Sequence, residues 1–192
     1  EAASLGIQCF GGHGYIRETG AEQNYRDARI ATLYEGTTGI QALDLLGRKV
    51  LGSGGELLNL FTQQIGEYCD AEHLPEIVVM TDQLSELKLD WQVLTQSIAE
   101  KAMVNADEVG AASMDYLMYS GYVVLAYFWA RAAELSLEKQ ASVGDSDGFY
   151  QAKIDTARFY FQRMLPRAAA HKVSALAGAE SLMAIADTGF NY

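Results

Sequence analysis

The run Met114-Asp-Tyr-Leu-Met118-Tyr-Ser-Gly121-Tyr-Val-Val-Leu125-Ala-Tyr-Phe128-Trp-Ala-Arg-Ala132-Ala-Glu-Leu135 decides the fold. Apolar or small residues recur at Met114, Met118, Gly121, Leu125, Phe128, Ala132 and Leu135, in alternating steps of four and three. That spacing keeps side chains on one side of an α-helix, so it predicts a long helix with a buried stripe. The flanking sequence repeats the pattern at Leu84, Leu87, Trp91, Leu94 and Ile98, and again at Tyr150, Ile154, Ala157, Phe161, Met164 and Ala168. Asn105–Gly110 and Gly144–Gly148 read as the turns between these helices. Pro166 has no N–H to donate, so it should kink or split the third helix. The small-residue-rich stretch Val173–Ala186 suits close packing. A shorter helix is expected over residues 56–70, with Leu57, Leu60, Phe61 and Ile65 on one face. Period-two strand patterns are absent. The expected fold is all-α, an antiparallel helical bundle with short connections.

Composition agrees with that class and narrows the function. Of 192 residues 49% are hydrophobic, enough for a sizeable core, and the Pro count of only 2 suits long helices. No apolar run approaches the roughly 18 residues that a membrane span needs. The net charge of −11 is uneven. Residues 1–50 hold 5 Lys/Arg against 6 Asp/Glu, whereas the remainder holds 9 against 19. An acidic surface disfavours nucleic acid and anionic membranes. Cys9 and Cys69 lack paired-ligand spacing and fit reduced thiols in an intracellular protein. His73 and His171 stand alone in sequence, and no metal site is expected. The Asp145/Asp147 pair begins like a calcium loop, but the spacing then departs and no distal Glu follows. No signal peptide is apparent. Glu1–Ile7 reads as mid-helix without a cap, the expectation being a piece of a longer protein.

Outward from the bundle, the first 50 residues carry the chemistry. Residues 1–10 read as a helix end, stopped by Gly11-Gly12-His13-Gly14, a turn able to present backbone N–H groups to phosphate or merely to cap the helix. Arg17, Arg26 and Arg29 either face an anion there or pair with Glu18, Glu22 and Asp27. Residues 21–33 show a modest helical pattern, followed by Tyr34-Glu35-Gly36-Thr37. Thr38 with Gln41 three positions on is a capping-box signature. It opens a helix with Ile40, Leu43, Leu46–Gly47 and Val50 on its apolar face. Glu35 at this junction either acts as a tuned base or simply complements the helix dipole, and spacing alone favours the second. Gly52-Ser53-Gly54-Gly55 reads as a flexible link. It divides an expected segment 1–52 from an expected bundle domain 53–192.

Taken together, three spaced motifs change that balance. Gln8-Cys9-Phe10-Gly11-Gly12-His13-Gly14-Tyr15, Tyr25-Arg26-Asp27-Ala28-Arg29-Ile30 and Tyr34-Glu35-Gly36-Thr37 with Ile40-Gln41 resemble the C-terminal segment of the flavin-dependent acyl-CoA dehydrogenases. Ile16–Ala21 and Gly39–Lys49 look like a branch with an extra C-terminal helical domain, which includes dehydrogenases of 3-methylthiopropanoyl-CoA. Residues from about 56 onward, ending in Gly178-Ala179-Glu180-Ser181-Leu182-Met183, resemble that extra domain.

The resemblance implies that Glu35 removes the proton α to a thioester carbonyl while the β hydride goes to flavin N5. It implies that the Glu35 N–H helps bind the thioester oxygen. Gly36 would border the acyl chain. Thr37 and Thr38 would contact the ADP part of FAD. Gln8, Gly11 and Gly12 would receive the FAD pyrophosphate of a neighbouring subunit, making a homodimer part of the site. An acyl-CoA substrate, an electron-transfer flavoprotein as acceptor and a cytoplasmic location are further implications. Many family members have Gln where this chain has Gly39, so one side-chain contact to the cofactor is missing. The family's N-terminal helical and β domains are absent from this chain, so it should not catalyse alone. Two other readings compete: an acyl-CoA oxidase of the same fold, and a non-catalytic helical assembly module.

Overall fold

The computed structural model describes residues 1–190; the last two residues of the expected 53–192 segment lie outside the described range. The described residues form helices joined by turns and loops, with no strand. Two compact units divide the chain, Glu1–Gln41 and Ala42–Tyr192.

In the first unit, α1 (Ala2–Cys9) runs into a 3-10 turn over Gly11–Tyr15, and α2 (Ala21–Ile30) packs on α1. Gly14 is required here by close approach. A Cβ at that position would stand 2.3 Å from the Ile7 carbonyl oxygen and 2.9 Å from the Phe10 Cβ. Neither α1 nor α2 buries a residue.

From α3 (Thr38–Leu43) the chain enters the second unit through a π-helical segment, Asp44–Leu51. Its buried side chains are Ala42, Leu46 and Val50, while Ile40 and Leu43 of the expected face are exposed. The glycine-rich stretch that follows is an ordered turn rather than a flexible link. Gly54 N–H donates to Leu51 O at 2.9 Å, Gly55 N–H to Val50 O at 2.8 Å, and the Ser53 hydroxyl to Val50 O at 3.0 Å. These bonds satisfy the carbonyls that a helix end leaves open.

α4 (Glu56–Cys69), α5 (Pro75–Val104), α6 (Asp107–Val143), α7 (Phe149–Phe159) and α8 (Ala168–Ala175) build the bundle. α6 is its axis, with α5, α7 and α8 packed around it and α4 against α5. On α5 the stripe lies where periodicity puts it: Leu84, Trp91, Leu94 and Ile98 are buried. On the third helix Ile154, Ala157, Phe161 and Ala168 are buried as expected. Pro166 does interrupt that helix, which passes through π turns at Tyr160–Met164 and a 3-10 turn at Leu165–Arg167 before α8. Buried tyrosine hydroxyls need partners, and those of Tyr116, Tyr119 and Tyr160 have them. Tyr116 shares a 2.7 Å hydrogen bond with Thr95, Tyr119 donates to Leu87 O at 3.2 Å, and Tyr160 to Tyr122 O at 2.8 Å.

On α6 the stripe expected from Met114 to Leu135 is not the buried one. Met114, Met118, Leu125, Phe128 and Leu135 are each at least 40% exposed, whereas Tyr116, Tyr119, Val123, Ala126, Ala130 and Ala133 are buried. Between Tyr116 and Ala130 α6 carries no charge on any side, so periodicity identifies the helix but not the face. The buried face combines Ala and Ser, which let neighbouring helices approach the α6 backbone, with Tyr116 and Tyr119, whose rings fill the space between those helices. The same correction applies to α4, where Leu58, Thr62 and Ile65 are buried but Leu57 and Leu60 are exposed. The turn before α6 is also shorter than expected. Asn105 Oδ1 accepts the Asp107 N–H at 3.1 Å, and Asp107–Gly110 is already helix. The pattern Val173–Ala186 does not form one helix: α8 ends at Ala175, Gly178 adopts φ 85°, and α9 spans only Glu180–Met183.

Candidate active site

The motif Tyr34–Thr37, expected to carry the base, occupies the turn that links α2 to α3. Leu33 and Tyr34 N–H groups still donate to Ile30 O, at 2.9 and 3.2 Å, so α2 closes with a tightened last turn. Glu35 then takes φ 56°, the only non-glycine residue with positive φ among the described residues. Positive φ crowds a Cβ against the backbone, and such strain persists only where the surroundings over-determine it. Gly36 follows at φ 97°. The loop is closed on its far side by Thr38, whose N–H donates to Thr32 O at 3.2 Å and whose hydroxyl faces the same oxygen at 3.5 Å.

The expected capping box does not form. Gln41 N–H bonds to Thr37 O at 3.0 Å, but its side-chain amide turns away from Thr38. Gln41 Nε2 instead donates to the Glu35 carbonyl at 2.6 Å. The box needs a free Thr38 N–H, and Thr32 O has already taken it. This role for Gln41 has no signal in the sequence, because it depends on the αL turn at Glu35.

The Glu35 carboxylate is exposed and has no hydrogen-bonding partner among the described residues. Residues 1–41 alone do not give it a dry environment. Thr37 is exposed with no bond to its hydroxyl, whereas the Thr38 hydroxyl is already directed at Thr32 O. Gln8, Gly11 and Gly12 are exposed. Cβ atoms built at Gly11 and Gly12 would meet nothing within 4 Å, and Gly11 takes φ 60°. The Gly11–Gly12 turn follows α1 and the Glu35 turn follows α2, with no hydrogen bond joining the two. Arg17 and Arg26 are exposed, and neither they nor Arg29 form an ion pair with Glu18, Glu22 or Asp27 among the described residues. Arg29 instead reaches the Thr32 hydroxyl at the base of the Glu35 loop.

The other polar groups set aside in the sequence have structural partners. Asp145 accepts backbone N–H bonds from Tyr150 and Gln151, at 3.0 and 2.7 Å, and Asp147 one from Phe149 at 3.2 Å. The acidic turn therefore caps α7. His73 bridges Glu134 Oε1 and Tyr68 O, both at 2.5 Å, and His171 meets Asp115 at 2.8 Å. Among the described residues no three His, Cys, Asp or Glu side chains converge as a metal site would require. No helix among them is long and apolar enough to cross a membrane.

Comparison with known proteins covers nearly the whole chain. Residues 1–51 match the family described as acyl-CoA dehydrogenase, C-terminal domain. Residues 61–186 match that described as acetyl-CoA dehydrogenase C-terminal like. The chain is similar to 3-methylmercaptopropionyl-CoA dehydrogenase of Ruegeria pomeroyi, with 37% identity over 86% of this chain and 28% of that protein. It is similar to the broad-specificity linear acyl-CoA dehydrogenase FadE5 of Mycobacterium tuberculosis, with 30% identity over 83% of this chain and 28% of that protein. A segment covering 21% of this chain is 56% identical to the human mitochondrial short-chain specific acyl-CoA dehydrogenase. The chain thus spans little more than a quarter of the length of the first two relatives.

Proposed function

The chain belongs to the acyl-CoA dehydrogenase family, and from that premise we propose that it is the C-terminal portion of an FAD-dependent enzyme that forms the α,β double bond of an acyl-CoA thioester. Glu35 is the base that takes the α proton. The observation that carries this reading is the conformation of Glu35: a left-handed residue, in a loop closed by its neighbours, with a carboxylate that has no partner among the described residues. A residue recruited only to complement a helix dipole has no need of such a backbone.

An α C–H bond is a weak acid, so the base must be poorly solvated and the developing enolate must be stabilised. The rest of the enzyme has to cover Glu35, since the carboxylate is open in residues 1–41. The Glu35 N–H takes part in no described hydrogen bond, which suits a donor awaiting the thioester oxygen. Gly36 is demanded by the loop itself, since a Cβ there would stand 3.1 Å from Gln41 Nε2 and 3.2 Å from Ile40 Cγ2, and in this reading it borders the acyl chain.

FAD, when bound, supplies the acceptor for the β hydride. The residues assigned to it suit that role. Gly11 and Gly12 leave open space for a pyrophosphate to approach the backbone, Gln8 is exposed beside them, and the Thr37 hydroxyl is free to donate. Thr38 would offer FAD its remaining lone pairs, its proton being directed at Thr32 O. In this reading residues 1–52 complete the family's helical domain and 53–192 form the added bundle. The enzyme is a cytoplasmic homodimer with the FAD site shared between subunits, and it passes electrons to an electron-transfer flavoprotein. The relatives named above are dehydrogenases, which favours that acceptor over oxygen.

Replacing Glu35 by Gln in the complete enzyme is expected to slow anaerobic flavin bleaching by about 10²–10⁴-fold while FAD stays bound. Bleaching at the unsubstituted rate would assign the base elsewhere. The substrate panel should contain straight-chain acyl-CoAs and 3-methylthiopropanoyl-CoA.

A further inference from the structure

We infer that Gln41 is a positioning residue for the base. This rests on the reading of Glu35 just given and adds a role that the motif does not contain. Gln41 lies six residues beyond Glu35, yet its amide returns across Gly36 to bind the Glu35 carbonyl at 2.6 Å. That bond fixes the peptide plane between Glu35 and Gly36, and with it the ψ angle of a residue already strained at φ 56°. Gln41 is itself held, through its backbone bond to Thr37 O at 3.0 Å and its place in α3. The side chain therefore spans from a fixed helix to the one carbonyl that sets the direction of the catalytic Cα–Cβ bond.

Two further features support this assignment. Thr32 O ties down the chain two residues after Gly36 by accepting the Thr38 N–H, so Gln41 supplies the restraint on the segment in between. The contact is also close. A Cβ at Gly36 would come within 3.1 Å of Gln41 Nε2, so the amide lies directly over the glycine. Without the Gln41 donor, the Glu35–Gly36 peptide can rotate and relieve the strain at Glu35. The carboxylate then leaves the line of the α C–H bond. Proton abstraction depends steeply on such placement, and a misplacement near 1 Å costs about a hundredfold.

The test isolates proton transfer from hydride transfer. In (methylthio)acetyl-CoA sulfur replaces the β carbon, so no hydride can leave. Uptake of deuterium from D₂O at its α carbon then reads the base alone. In the complete FAD-bound enzyme, Gln41→Met keeps the shape and removes the donor. Exchange should slow about tenfold to hundredfold, with FAD content, melting temperature and affinity for the analogue unchanged. Gln41→His places an Nε2–H the same number of bonds from the backbone and should recover most of the rate. Exchange by Gln41→Met at the unsubstituted rate would overturn the inference. So would equal impairment of Gln41→Met and Gln41→His, since that outcome assigns packing rather than donation. Glu35→Gln is run beside them. If it stops exchange while Gln41→Met does not slow it, only the positioning role fails. If Glu35→Gln still exchanges, the assignment of the base fails, and the role of Gln41 with it.

Discussion

At the scale of single residues, one backbone angle distinguishes Glu35 from an ordinary glutamate at a helix start. Glu35 has an ordinary neighbourhood in sequence, a carboxylate just before a helix, and such carboxylates commonly serve the helix dipole. The αL turn, the Gln41 staple and the free carboxylate set it apart. A second residue-scale case is His73, whose side chain is only 4% exposed. Burial opposes its charge, but the hydrogen bond to Glu134, the Tyr68 carbonyl and the Glu134 charge outweigh burial and raise its pKa above the ordinary 6.5. Because the folded value is the higher one, protonation stabilises the fold. That contribution is complete below pH 6.5 and is lost as pH rises through the raised value. The melting temperature of this chain should therefore fall across that window. His73→Gln should flatten the fall, as should Glu134→Gln, in thermal melts at a series of pH values. An unchanged slope in both variants would show that the pair titrates elsewhere.

At the scale of elements, helices were legible and faces only in part. The stripes on α5 and on the Pro166-broken helix were readable because each has a polar side that leaves one solution. α6 has none, so its large residues drew the eye to the exposed side while its Ala, Ser and Tyr residues made the core. Ala130 is fully buried, so Ala130→Leu should destabilise the bundle by about 1–3 kcal/mol through overpacking. Phe128→Ala, at a residue 52% exposed, should stay within about 0.5 kcal/mol, as surface changes do. Denaturant melts of the two variants decide between the faces, and the reverse order would restore the original stripe. Gly14→Ala probes the first unit in the same way. Its Cβ would stand 2.3 Å from a backbone oxygen, so the turn must open and the melting temperature should drop. Gly52–Gly55 illustrates the limit of composition, since glycine content suggests flexibility but carries no information on the hydrogen bonds that order the turn.

At the scale of the whole molecule, the residues proposed for the site are written in motifs near one end of the chain. Gln8, Gly11, Gly12, Glu35, Gly36, Thr37 and Thr38 all fall within Glu1–Gln41. What sequence could not supply was the side-chain geometry: the box expected from Thr38 and Gln41 became a clamp on Glu35, and among the described residues Arg17, Arg26 and Arg29 form no ion pair with Glu18, Glu22 or Asp27. Residues 1–41 leave Glu35 exposed. The central claim is that Glu35 is the base of an acyl-CoA dehydrogenase. The most direct measurement is the bleaching of the flavin's visible absorbance when the complete enzyme meets each acyl-CoA of the panel without oxygen, with and without Glu35→Gln. The account predicts rapid bleaching by one chain class, lost in the variant while FAD remains bound. Bleaching that survives Glu35→Gln, or an enzyme that holds FAD yet is bleached by no thioester, would contradict it.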